Sequence, residues 1–338
     1  MLRLAALAVL LAPSLVVHAD GDPPSERERT VARRSELKQA ARAAGKDAGA
    51  PRTTLVPEPE QATGADWAGA VTLDRWVVVG TVGRGELRRI CTILVAAPAL
   101  HRAAIGGETA ETPPTKRVAL VLDDRAAAAK ALAAHPAIHA EAREEILRAD
   151  SLWLAAERER VGLWYATRTG RAELAARQAF DLCFERDFGE SLPGWVRSGA
   201  ELYLVHRLVG TRFTFVLEPS RYGKRAPEVD DLMKRALRPG SDWLAIARGL
   251  LRAGRKPDLR AFIGKATNDL SDEEQLWAYV LAAYVIEARG DDAATLFRAI
   301  SAGGERLEEA VGRLWSLDLD GLEAALVRWL DATRDLAE

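Results

Sequence analysis

The sequence predicts an α+β fold, with a small N-terminal sheet and its helices followed by a mostly helical C-terminal half. Three observations carry that prediction. Short β-branched and aromatic runs lie early in the chain, at Arg75-Trp76-Val77-Val78-Val79-Gly80 and Arg117-Val118-Ala119-Leu120-Val121-Leu122. Apolar residues at helical spacing follow each of them. From Glu173 onward the 3.6-residue period dominates and strand-like alternation does not return.

In chain order, the first strand ends at Gly80 and Gly83. Glu86 to Ala104 then spaces Leu87, Ile90, Cys91, Leu94 and Val95 along one helix face. The second strand closes at Asp123-Asp124, and Asp124 is placed to cap an Ala-rich helix running to Ala134. Beyond Pro136 a further helix is predicted over 137–149. The apolar segments 151–155 and 161–166 flank polar Glu157-Arg158-Glu159-Arg160, which predicts a hairpin. Helices are predicted over 172–187, 193–208, 227–237, 241–252, 257–267, 271–289, 291–302, 305–314 and 318–334. Ser271 with Glu274 reads as a capping box, and Gly290 as the glycine that ends a helix.

The start of the chain predicts export. Met1-Leu2-Arg3 is a short basic segment, Leu4–Val17 is apolar, and Ala19 precedes the polar Asp20-Gly21-Asp22. That is the layout of a signal peptide over 1–19, cleaved after Ala19, which places the chain in the periplasm or outside the cell. The apolar run is shorter than the roughly 20 residues a membrane-spanning helix needs, and no later stretch is longer. Residues 20–69, rich in Pro, Ala, Gly and mixed charge, are expected to be a disordered or loosely docked linker. Val31–Ala44 could form only a transient helix, because its apolar stripe is sparse. Residues 70–334 then form one domain, with a sheet-containing part over 70–190 and a helical part over 191–334. A net charge of -2 gives no electrostatic case for nucleic acid. Cys91 and Cys183 fall on apolar helix faces, so an exported chain leaves both a disulfide and two buried thiols open.

Familiar catalytic signatures are missing. There is no Gly-x-Ser-x-Gly elbow, phosphate-binding glycine loop or Cys-x-x-Cys pair. His135 and His139 are four apart, but Pro136 between them marks a helix start, so they read as surface residues. His101 is expected to meet the last carbonyls of its helix. The carboxylates Glu185, Asp187, Glu190 and Glu201 read as solvated helix faces, although a two-carboxylate hydrolase would use the same residue types.

Residues 176–203 are more specific. They read Ala-Arg-Gln-Ala-Phe-Asp-Leu-Cys-Phe-Glu (176–185), a short connection, then Leu-Pro-Gly-Trp-Val-Arg-Ser-Gly-Ala-Glu-Leu-Tyr (192–203). With the order of elements over 75–334, this resembles the peptidase-MA-like family of gluzincin metallopeptidases, in its exported bacterial members of unknown function. The family pattern puts His-Glu-x-x-His on one helix and a third ligand Glu in a Pro-x-Trp helix. Pro193, Trp195, Gly199 and Tyr203 match that second stretch. Arg177, Gln178 and Asp181 stand at the His, Glu and His positions, and Ser198 at the third ligand.

The resemblance implies a zinc-dependent peptidase fold, and these substitutions imply that its chemistry is lost. Arg177 cannot ligate a cation, Gln178 cannot accept a proton as general base, and Ser198 is a poor ligand. No cofactor and no metal are expected. Arg177 and Asp181, four apart, are expected to pair across the former ligand positions. Candidate cleft-lining residues are Trp164, Trp195, Tyr203 and His206. The leading expectation is an exported pseudo-metallopeptidase that binds a peptide or an envelope protein, or serves as a structural module. The alternative is an active hydrolase with a relocated or non-zinc site.

Overall fold

The computed structural model describes residues 24–47, 52–54, 69–74, 76–106, 117–134, 143, 151–157, 160–165, 168–189, 191–211, 235–236, 238, 240–301 and 304–336. The fold is α+β and mostly helical. Six strands form one mixed sheet in the order β1-β2-β3-β4-β6-β5. They are β1 (Arg52–Thr54), β2 (Gly69–Leu73), β3 (Trp76–Gly80), β4 (Arg117–Leu122), β5 (Ser151–Glu157) and β6 (Arg160–Tyr165).

The β2–β3 pair is antiparallel, and Asp74 next to β2 adopts a left-handed φ of 51°. β3 and β4 are parallel, joined by a crossover through helix α2 (Arg84–Ile105), and β4 and β6 are parallel too. β5 and β6 form the predicted antiparallel hairpin, with an irregularity between Ala155 and Glu157. At the ends of β3 and β4, the Thr81 hydroxyl donates to Asp123 Oδ1 (2.6 Å) and accepts from the Asp123 amide (3.0 Å). Helix α3 (Arg125–Ala134) is capped as expected, the Ala127 amide donating to Asp124 Oδ1 at 2.7 Å.

The helical half is built around one buried helix. The segments are α4 (Arg168–Phe188), a π-helical turn (Val196–Ala200) continuing into α5 (Glu201–Val209), α6 (Trp243–Arg252), α7 (Leu259–Phe262), α8 (Asp272–Ala288), α9 (Gly290–Ile300), α10 (Leu307–Trp315) and α11 (Leu319–Ala332). From Leu276 to Ala288 every residue of α8 is buried, and the other helices pack around it. The capping box of Ser271 and Glu274 starts this helix.

Several expectations are corrected. Residues 26–47, placed within a disordered linker, form helix α1 (Glu26–Asp47), which lies on α2 and α8. Its inward face is Thr30, Arg34 and Leu37 rather than a broad apolar stripe, so it is held by specific bonds. Trp329 Nε1 donates to Thr30 Oγ1 (3.0 Å), and Arg34 Nε to Glu287 Oε2 (2.8 Å), all within the core. β1 and β2 also precede the expected start of the sheet. Gly290 does not end a helix in a left-handed turn. The break falls at Arg289, and Gly290 opens α9. The predicted helix over 257–267 shortens to α7 and a 3-10 turn at Thr267–Asp269. Those over 137–149 and 227–237 lie almost wholly outside the described residues, as do residues 1–23. No helix among the described residues is long and apolar enough to cross a membrane.

Candidate functional site

Helix α4 buries Ala175, Ala176, Ala179, Phe180, Cys183 and Phe184. That spacing leaves Arg177, Gln178 and Asp181 together on the flank facing the π-turn and α5. The π-turn is fixed by close packing. A Cβ on Gly199 would stand 2.3 Å from the Ala278 carbonyl oxygen of α8, so only glycine admits this approach. A π-turn shifts the register of the side chains around it, and such turns recur at functional sites. Here it carries Arg197, buried Ser198 and, at its end, Glu201, whose amide bonds to the Ser198 carbonyl.

Of the positions singled out by the pattern, Arg177 and Asp181 both reach across to the π-turn and the start of α5, with other partners than expected. Arg177 does not bridge to Asp181. Its Nε lies 3.6 Å from Glu201 Oε2. Asp181 Oδ1 is instead 3.4 Å from Arg197 Nε, and Arg197 Nη2 is 3.7 Å from Glu185 Oε1. An i, i+4 pair within one helix gains only a few tenths of a kcal/mol, so the cross-helix arrangement prevails by serving Glu201, which is 3 % exposed.

Burial pushes the Glu201 carboxyl well above its ordinary range, against the attraction of Arg177; Asp181, by its charge and through a hydrogen bond, pushes the same way. The guanidinium of Arg177, 3.6 Å away, opposes that rise by favouring the charged form. Gln178 Oε1, Trp195 Nε1 and Glu201 Oε1 are buried without a hydrogen-bond partner among the described residues.

These side chains are poor donors for a metal. Two guanidiniums are permanently cationic and repel a divalent ion, and burial disfavours the charged form of Glu201. Among the described residues, no three His, Cys, Asp or Glu side chains converge as a metal site. What the cluster offers chemically is a buried carboxyl of raised pKa beside Asp181, with guanidiniums on either side.

The remaining candidates are dispersed. Trp195 and Tyr203, proposed as cleft walls, are core residues, because the fold places them beneath the helices. Trp195 stacks edge-on against Phe297 (6.1 Å), and Tyr203 packs on Tyr279 (6.0 Å). His206 lines a cleft beyond the far end of α5. Trp164 belongs to β6, opposite Leu122 and Leu152, and its side chain lies outside the described residues, as do His135 and His139. His101 does not meet helix-end carbonyls. It is fully buried against Phe184 (4.9 Å), and burial lowers its pKa to about 4, outweighing Asp187, whose Oδ2 is 3.5 Å away. Asp187 is instead gripped by Arg186 through two hydrogen bonds (2.6 and 2.9 Å). Cys91 and Cys183 are buried thiols, not joined as a disulfide, and burial pushes the Cys91 thiol up to about 12.

A second polar cluster escaped sequence reading. Glu287, near the end of α8, accepts from Arg34 Nε (2.8 Å), Arg207 Nη2 (2.6 Å) and the Tyr203 hydroxyl (2.8 Å), and Arg207 Nε donates to that hydroxyl (3.0 Å). Burial, reinforced by the charge of Glu287, raises the Tyr203 phenol and keeps it a donor. The signal was present, since Glu287 is the one charged residue in the run from Leu276 to Ala288. Compared with known proteins, the chain matches no protein family, no curated protein and no solved structure.

Proposed function

We propose that this protein is an exported, metallopeptidase-like module that has lost zinc chemistry and acts in the cell envelope by binding or by structural support. One observation carries the reading. Arg177, at the first His position of the pattern it resembles, points to Glu201 at 3.6 Å and helps build a cluster of guanidiniums and carboxyls. The gluzincin-like ancestry rests on Pro193, Trp195, Gly199 and Tyr203. The tight seating of Gly199 on α8 and the burial of Trp195 and Tyr203 give those three residues a structural reason to persist without catalysis.

The test is hydrolysis of fluorescein-labelled casein by the purified protein, with and without added zinc. The reading expects no turnover above background in either case. A chelator-sensitive turnover would overturn it. A specific observation favours a second reading, a metal-independent hydrolase: Glu201, a buried carboxyl whose pKa is raised, lies beside a second carboxyl group, Asp181. Turnover insensitive to chelator and lost in Glu201→Gln would support that alternative.

A further inference from the structure

The cleft at the far end of α5 has a volume of about 800 Å³, within the range of sites that hold an organic ligand and far beyond the needs of a small inorganic ion. One wall is a face of α1 carrying Arg34, Lys38 and Arg42, one helical turn apart. The opposite side is largely apolar, from Leu208, Val209 and Leu336, with Arg207 at its base. Charge is unbalanced toward the positive. Arg34 and Arg207 share the single carboxylate of Glu287 at the floor. Asp335, the acidic residue of the lining, sits 3.8 Å from Arg334. Lys38 and Arg42 are exposed and have no ion-pair partner among the described residues.

We propose that this cleft binds an acidic peptide in extended conformation, with acidic and apolar residues alternating. Successive turns of α1 repeat the positive charge about every 6 Å, from four residues at a rise of about 1.5 Å. Alternate side chains on one edge of an extended peptide recur about every 6.6–6.8 Å. Acidic side chains of such a peptide meet Lys38 and Arg42 in step, while the intervening apolar ones turn to Leu208, Val209 and Leu336. Arg34 and Arg207 are pinned by Glu287 and Tyr203, so the floor is pre-formed and little ordering is needed on binding.

The proposal deepens the binding-module reading and rests on it, yet casein hydrolysis and zinc retention test the Arg177 site separately, so the two can fail independently. The experiment is fluorescence anisotropy of the purified protein with a fluorescein-labelled Glu-Val-Glu-Leu-Glu-Val peptide. Saturable binding is expected, weaker at 300 than at 50 mM NaCl. The exposed double variant Lys38→Glu/Arg42→Glu should lose about tenfold or more in affinity with an unchanged melting temperature. Equal binding of a Lys-Val-Lys-Leu-Lys-Val peptide, or no effect of the double variant, would overturn the proposal. So would displacement of the peptide by millimolar inorganic phosphate together with equal binding of a Glu-Ser-Glu-Ser-Glu-Ser peptide, which would make the cleft a simple anion site.

Discussion

Arg177 Nε of α4 and Glu201 Oε2 of α5 stand 3.6 Å apart, joining the two helices. The contact couples a permanent cation to a carboxyl whose pKa burial raises. Replacing Arg177 by Ala removes the group that offsets Asp181 and Glu201 from the α4 side. The approach is long at 3.6 Å, so the expected cost is about 1–3 kcal/mol by urea denaturation at pH 7. No change in stability would mean that the contact is incidental.

Glu201 also sets an alkaline limb. Its folded pKa lies above the unfolded carboxyl value, so the folded state holds a proton that the unfolded chain releases above about pH 4.5. Its contribution to stability is complete at low pH and declines as pH rises through the folded value. Glu201→Gln, which cannot titrate, should therefore gain on the wild type as pH rises above about 4.5. A constant difference between the two would remove the protonated carboxyl from the account.

His101 acts in the opposite sense. Its folded pKa is lowered to about 4 by burial, with Asp187 pulling it up and Arg186 and Arg102 pushing it down. The unfolded chain takes up a proton from about pH 6.5 downward and the folded chain does not, so stability is lost as pH falls from 6.5 to 4. A shift of that size corresponds to about 3 kcal/mol. His101→Leu should flatten the acid limb, as read by melting temperature at pH 4.5 against 7, and an acid limb of the same depth in the variant would contradict it.

Gly199 is a packing test free of charge effects. A methyl group there would lie 2.3 Å from the Ala278 carbonyl oxygen, which is backbone and cannot rotate away. Gly199→Ala should cost at least about 1–3 kcal/mol through helix displacement. Gly249, where an added Cβ meets nothing within 4 Å, is the control. Equal melting temperatures for the two alanine variants would show that the α5–α8 approach is looser than described.

Much of the sheet was legible because its strands are short, β-branched and bounded by turn residues, as at Val77–Val79 and Val118–Leu122. Capping was legible at Asp124 and Ser271, where the side chain acts within three residues of itself. Helix α1 was not legible as a packed element. Its buried face uses Thr30 and Arg34, whose burial depends on Trp329 and Glu287 some 300 and 250 residues away in sequence. The partners of Arg177 and Asp181 were not legible, because the π-turn that brings Arg197 and Glu201 to α4 depends on Gly199 meeting α8. Local spacing favoured Arg177 with Asp181; tertiary packing gave each a different mate.

Glu287 ties α1 to the core. Glu287→Ala leaves Arg34 and Arg207 without their shared carboxylate and the Tyr203 hydroxyl without its acceptor. The expected cost is about 3–5 kcal/mol, with faster limited proteolysis within residues 26–47. Unchanged cleavage there would show that α1 is held by its apolar contacts alone.

The central claim is that positions 177, 178, 181 and 198 no longer form a zinc site. The most direct measurement is the metal content of the purified protein after exposure to stoichiometric zinc and desalting. The account predicts that no zinc is retained, and that none is retained by Arg177→Ala. One tightly held zinc per chain, lost in Asp181→Asn, would contradict it.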